Sequence, residues 1–143
     1  MLGIRNPGLY GGARLADIER VMRVRADALG VTLDFRQTNH EGVMIDWIHD
    51  AHERVDGVII NPAAFTQTSL GIADALGILT CPVIELHFAN VHRDPAKVNR
   101  QVSLVRSVAT GVIAGFGPSG YLLALDAVMQ AITPTDFTQG RDA

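Results

Sequence analysis

Pro82-Val83-Ile84-Glu85-Leu86-His87 is the stretch on which the fold turns. It is too short for a buried helix and is rich in β-formers, so it reads as a strand. Glu85 and His87, two apart, point to the same face at its carboxyl end. Upstream, Val58-Ile59-Ile60 ends at Asn61-Pro62 and reads as a second buried strand. The apolar period over Ser69–Leu76 predicts a helix between the two. Downstream, residues 108–114 predict a further strand, then a glycine-rich turn and a helix over Ser119–Ile132. Toward the start, Val31-Thr32-Leu33-Asp34-Phe35 alternates apolar and polar, the pattern of a strand with one covered face. Leu15, Ile18, Met22 and Leu29 predict a helix over Arg14–Leu29 closed by Gly30. Met44, Trp47, Ile48, Ala51 and Val55 mark another helix stripe. Residues 89–107 read as a polar loop with room for a short helix. Short strands joined by helices predict an α/β fold, a parallel sheet with helices on both faces.

The chain has 143 residues, which predicts one domain over 1–143 with a flexible tail from about residue 133. Hydrophobic residues make up 48% and charged residues 19%, enough apolar content to exclude bulk disorder. A net charge of -3 argues against nucleic acid or an anionic membrane as the main partner. No apolar run approaches a membrane span, and the first residues lack the pattern of a signal peptide, so a cytoplasmic location is expected. The one cysteine, Cys81, excludes an internal disulfide framework and a cysteine-rich zinc site.

In sheets of this type, ligands bind beyond the carboxyl ends of the strands. Residues 37–41, 61–69, 85–92 and 115–120 are polar or glycine-rich clusters on that predicted edge, and Arg5 and Tyr10 lie in the opening loop. Each has more than one reading. Gly115–Gly120 fits a phosphate cradle or a tight turn, and it lacks the lysine of a P-loop. Asn61-Pro62 fits a site or a plain turn. Glu85 beside His87 fits a tuned pair in a site or a structural hydrogen bond. His49 and His52 share a helix face without a third ligand, which favours a solvated face over a metal site. Tyr10 has an ordinary pKa too high for a base at neutral pH; a guanidinium beside it would stabilise its phenolate.

Five segments carry a family resemblance: LGIRNPGLYGG at 2–12, FRQTNHEGVMIDWIHDA at 35–51, INPAAFTQTSLGIADAL at 60–76, PVIELHFANVH at 82–92 and VATGVIAGFGPSGYLLAL at 108–125. In this order and spacing they resemble the type II 3-dehydroquinate dehydratases from Leu2 to about Ala131. The resemblance implies a flavodoxin-like three-layer sandwich and a dodecamer of trimers. It implies a lyase (a hydro-lyase of the shikimate pathway or of quinate catabolism) with no cofactor and no metal. The substrate would be 3-dehydroquinate, converted to 3-dehydroshikimate through an enolate. By motif, Tyr10 matches the general base and Arg5 the mobile-loop arginine that activates it. Asn61 matches the asparagine that binds substrate and enolate, with Ala63 and Ala64 beside it. His87 matches the substrate-binding histidine and Glu85 its support. The backbone N–H groups of Phe88 and Ala89 match the carboxylate cradle. Arg100, counted back from Val108, matches an arginine that contacts substrate hydroxyls. Asp74 matches an acidic residue that reaches a neighbouring subunit.

Several positions depart from the family pattern. Gln67 stands where the family has its general-acid histidine, and an amide cannot donate a proton at neutral pH. Impaired turnover is therefore expected, with a divergent or inactive homologue that binds a related cyclic hydroxy acid, or joins an active paralogue's oligomer, as the alternative. Ala89 replaces a serine, Ala63 a glycine and Asn6 a glutamate. The stretch between His92 and Val108 is about two residues longer than the pattern. The family's first strand has no counterpart, which predicts a mis-assigned start, a truncation, or another segment or chain filling its slot.

Overall fold

The computed structural model describes Leu2 and residues 12–134. Arg5, Tyr10 and most of the expected tail lie outside these residues. Within them, α1 spans Leu15–Leu29, α2 Glu41–Ala51, β1 Val58–Ile60, α3 Phe65–Thr68, α4 Leu70–Gly77, β2 Val83–His87, α5 Val98–Gln101, a 3-10 turn Val105–Ser107, β3 Gly111–Ala114 and α6 Ser119–Ile132. The three strands are parallel in the order β1-β2-β3. The fold is the expected α/β, flavodoxin-like arrangement of helices on both faces of a parallel sheet.

Alternation along β2 builds the two faces. Val83 belongs to a cluster with Ile48 of α2, Ile72 and Leu76 of α4, and Val105. Ile84 and Leu86 pack on Ala124 and Val128 of α6. Ile18, Met22 and Ala26 of α1 meet Leu125 and Phe88 on that same side. All five β2 residues are buried, as expected for a central strand. The helix limits follow local chemistry. The Asp17 carboxylate accepts the Arg14 N–H at 3.0 Å and caps α1. The Ser69 hydroxyl accepts the Ile72 N–H at 2.9 Å and caps α4.

The structure corrects the sequence reading in four places. Val31–Phe35 is not a strand of the sheet. Val31, Leu33 and Phe35 still pack on the α1 cluster, and burial alternates along the segment. The pattern encodes one buried face, but a strand also needs a neighbouring strand in register, and none of β1–β3 pairs with this segment. Among the described residues nothing fills the slot beside the free edge of β1. The third strand starts at Gly111 rather than Val108, because the 3-10 turn accepts the N–H groups of Val108 and Ala109 at the Val105 carbonyl. The polar stretch after Asn61 contains α3, whereas the short helix for which residues 89–107 had room is present as α5, followed by the 3-10 turn. The second helix ends at Ala51, short of Val55.

Candidate functional site

The carboxyl ends of β1 and β2 lie side by side, with Ile60 paired to Glu85. Asn61 therefore leaves β1 next to the end of β2, where Glu85 and His87 stand. Glu85 is fully buried and His87 is 7% exposed. His87 Nε2 lies 2.5 Å from Glu85 Oε1. An ionised carboxylate only accepts, so this contact assigns the proton to Nε2 and leaves Nδ1 as the ring nitrogen not held by Glu85. Burial pushes the Glu85 carboxyl up. Hydrogen bonds from His87 and Ser103, with the charges of His87 and Arg106, outweigh it and hold the group below its ordinary value. The pair is thus an ionised carboxylate orienting an imidazole at a strand end, a unit able to bind and orient a polar substrate.

Asn61 is held from two sides. Its amide oxygen accepts the Ala63 N–H at 3.2 Å. Its amide nitrogen donates to the Tyr121 hydroxyl at 3.3 Å. Among the described residues the second N–H of the amide has no partner, which leaves it for a ligand. Tyr121 comes from α6 and packs its ring against Phe88 and Phe35. Burial raises its pKa, partly offset by Asn61, so it stays a neutral phenol at neutral pH. Ala63 adopts φ +52°, the left-handed region that favours glycine. The glycine expected from the resemblance has a backbone reason at this position.

Gln67 sits half-buried on α3, and Ala64 precedes that helix. The Leu104 N–H donates to the Thr66 carbonyl at 2.9 Å, which brings the 103–107 segment against α3. Phe88 and Ala89 follow β2 directly, and the Phe88 carbonyl accepts the Gly117 N–H at 3.0 Å. Gly115 turns at φ +96°, and a Cβ there would come within 2.9 Å of the Asn90 Cβ. The 115–120 segment is thus a tight turn fitted to Asn90, the plainer of its two readings.

Two further expected residues lie on exposed helix positions. Asp74 is exposed on α4 and lines a surface hollow with Leu70, Ile78, Ser103 and Leu104. Arg100 is exposed on α5 and makes no side-chain hydrogen bond among the described residues. Arg106 is the guanidinium whose charge bears on Glu85, and it contacts His92 Nε2 at 3.3 Å. Sequence reasoning missed Arg106, Ser103 and Tyr121, since nothing in their local sequence marks them. Among the described residues no cluster of three or more His, Cys, Asp or Glu could hold a metal ion. No helix among them is long and apolar enough to cross a membrane.

The Dehydroquinase class II family model matches residues 1–129. A 3-dehydroquinate dehydratase of Sinorhizobium medicae is 47% identical over 127 residues, covering 89% of this chain and 84% of the relative. A 3-dehydroquinate dehydratase 2 of Pseudomonas putida is 51% identical over 126 residues, covering 87% of this chain and 83% of the relative. The type II dehydroquinase of Butyrivibrio crossotus superposes with a TM-score of 0.85 at 33% identity, covering 90% of this chain and 88% of that one. The family match over nearly the whole chain, the relatives' identity and the shared fold lead to one conclusion: the chain belongs to the class II dehydroquinase family.

Proposed function

We propose that this chain is a 3-dehydroquinate dehydratase, a hydro-lyase that forms 3-dehydroshikimate and water. The observation that carries the reading is the buried Glu85–His87 pair beside Asn61 at one sheet edge. That arrangement suits a hydroxylated, anionic ring. His87 and Asn61 would bind its oxygens, and the Phe88 and Ala89 backbone its carboxylate. Tyr10, activated by Arg5, would take the proton from the carbon beside the ketone. The electron pair moves into the enolate, where Asn61 stabilises it. Collapse of the enolate expels hydroxide from the adjacent carbon, and a proton must reach that oxygen to complete the water. Gln67 can hydrogen-bond the leaving oxygen but not protonate it, so a bound water would supply the proton and turnover would be slow. General acid catalysis is worth roughly 10²–10⁴-fold, which sets the size of the expected deficit.

The exposed apolar residues Leu70 (66%) and Ile78 (46%) around Asp74 support a trimer-based assembly, with a dodecamer as the full form. A cytoplasmic place in the shikimate pathway or in quinate catabolism goes with this reading. The replacement of the acid favours a second reading, a divergent or inactive homologue that binds a related cyclic hydroxy acid or joins an active paralogue. Ultraviolet absorbance of the enone product reports turnover of 3-dehydroquinate by the purified chain, and calorimetry on the same sample reports binding. Slow turnover supports the dehydratase. Binding without turnover supports the second reading, and the absence of both turnover and binding overturns both readings.

A further inference from the structure

Ser103 lies 18 positions from Glu85 in the chain, yet its hydroxyl is 2.8 Å from Glu85 Oε1 and 2.9 Å from Oε2. The same hydroxyl accepts the Arg106 N–H at 3.0 Å. A hydroxyl has one proton and two lone pairs. The Arg106 N–H occupies a lone pair, so the proton is free to point at the carboxylate, shared between its two oxygens. Glu85 Oε1 receives His87 Nε2 at the same time. The carboxylate is therefore gripped by its strand neighbour and by the 103–107 segment, and that segment is tied to α3 through Leu104 and Thr66. A buried carboxylate held by one partner alone could still turn about its terminal bond; the contact to both oxygens removes that freedom.

We propose that Ser103 is a positioning residue for the site: its hydroxyl clamps the Glu85 carboxylate in the orientation that accepts from His87 Nε2 and leaves Nδ1 to meet the substrate. The inference rests on the dehydratase reading for its kinetic consequences but not for its geometry. The charged and titratable groups that bear on Glu85 among the described residues are His87 on its own strand and Arg106 on the 3-10 turn. The Ser103 hydroxyl is the neutral donor between them. A purely structural serine would only cap the turn through the Arg106 N–H, and its loss would change stability alone.

The test uses Ser103→Ala and Ser103→Thr in the full chain. Carbon-13 NMR of labelled glutamate follows the Glu85 titration without substrate, and kcat/KM is measured against pH. In S103A the Glu85 midpoint moves up, because a donor to its charged form is gone. The acid limb of kcat/KM moves up with it, and the plateau falls about tenfold, the size of one hydrogen bond to a charged group. S103T keeps the hydroxyl and keeps all three readings at the native values. If S103A does not fold, Ser103→Cys, which nearly keeps the volume but is a weak donor, takes its place. A native Glu85 midpoint and acid limb in S103A, with only lowered thermal stability, would overturn the inference. So would an S103T protein that behaves like S103A. A native chain without turnover would sink the dehydratase reading, while the substrate-free titration would still decide the role of Ser103.

Discussion

Replacing Ala63 by glycine should make the protein more stable. Ala63 sits at φ +52°, where the Cβ of an L-residue crowds the following carbonyl. That conformation costs roughly 1–2 kcal/mol for alanine and little for glycine. Ala63 is exposed, so losing its methyl group removes no core packing. The Asn61 oxygen accepts a backbone N–H, which glycine keeps. Against the relief stands the greater freedom of glycine in the unfolded chain, about 0.4–1 kcal/mol. The net gain is about 1 kcal/mol, a rise in Tm of roughly 3–4 °C for a chain of this size. Urea unfolding should show a higher midpoint at an unchanged slope. Ala64, next to it at φ −74° and ψ −22°, is the control. Ala64→Gly carries the same unfolded-state cost without relief and should destabilise by about 0.5–1 kcal/mol. If both variants lose stability equally, the strain assigned to Ala63 is absent and the reasoning fails.

Acid should weaken the fold through Glu85. Its folded pKa lies below its ordinary 4.5, so its stabilising contribution is fully present above that value and is lost as pH falls through the folded pKa. Glu85→Gln should flatten the dependence of urea stability on pH below about 4.5, and an unchanged slope would contradict the assignment. Gly115→Ala should destabilise by about 2 kcal/mol or more, since its Cβ meets Asn90 at 2.9 Å in addition to the left-handed backbone. Gly117→Ala, at φ +55° with open space around it, should cost only about 1 kcal/mol in the same melt. Tyr121→Phe keeps the ring against Phe88 and Phe35 and removes the partner of the Asn61 amide. It should cost about 1 kcal/mol in stability and lower kcat/KM more than its stability loss explains.

Much of the architecture is local enough to read from sequence. The apolar runs at 58–60 and 83–87, and the helix at 119–132, appear where periodicity puts them, because burial on both faces or along one stripe leaves its mark in consecutive residues. Val31–Phe35 shows the limit. Alternation records which side of a segment is buried, and that side is buried, but strand pairing depends on a neighbour distant in the chain. The site divides in the same way. Glu85 and His87 are two apart on one strand and announce each other. Asn61 and Tyr121 are 60 apart and Glu85 and Ser103 are 18 apart, so their contacts exist only once helices and loops have closed around the sheet. Arg106, 21 positions beyond Glu85, bears on that carboxylate by its charge, and only the folded chain brings the two together.

Asn61, Glu85 and His87 form the binding side of the proposed dehydratase site, and Gln67 stands in place of its acid. The most direct test of this reading is the rate of 3-dehydroquinate dehydration by the native chain, Gln67→Ala and Gln67→His, measured side by side through enone absorbance. Native turnover should be slow, with a further fall in Q67A and a gain of about 10²-fold or more in Q67H as an imidazole supplies the proton. No turnover by the native chain, or a Q67H protein no faster than the native one, would contradict it.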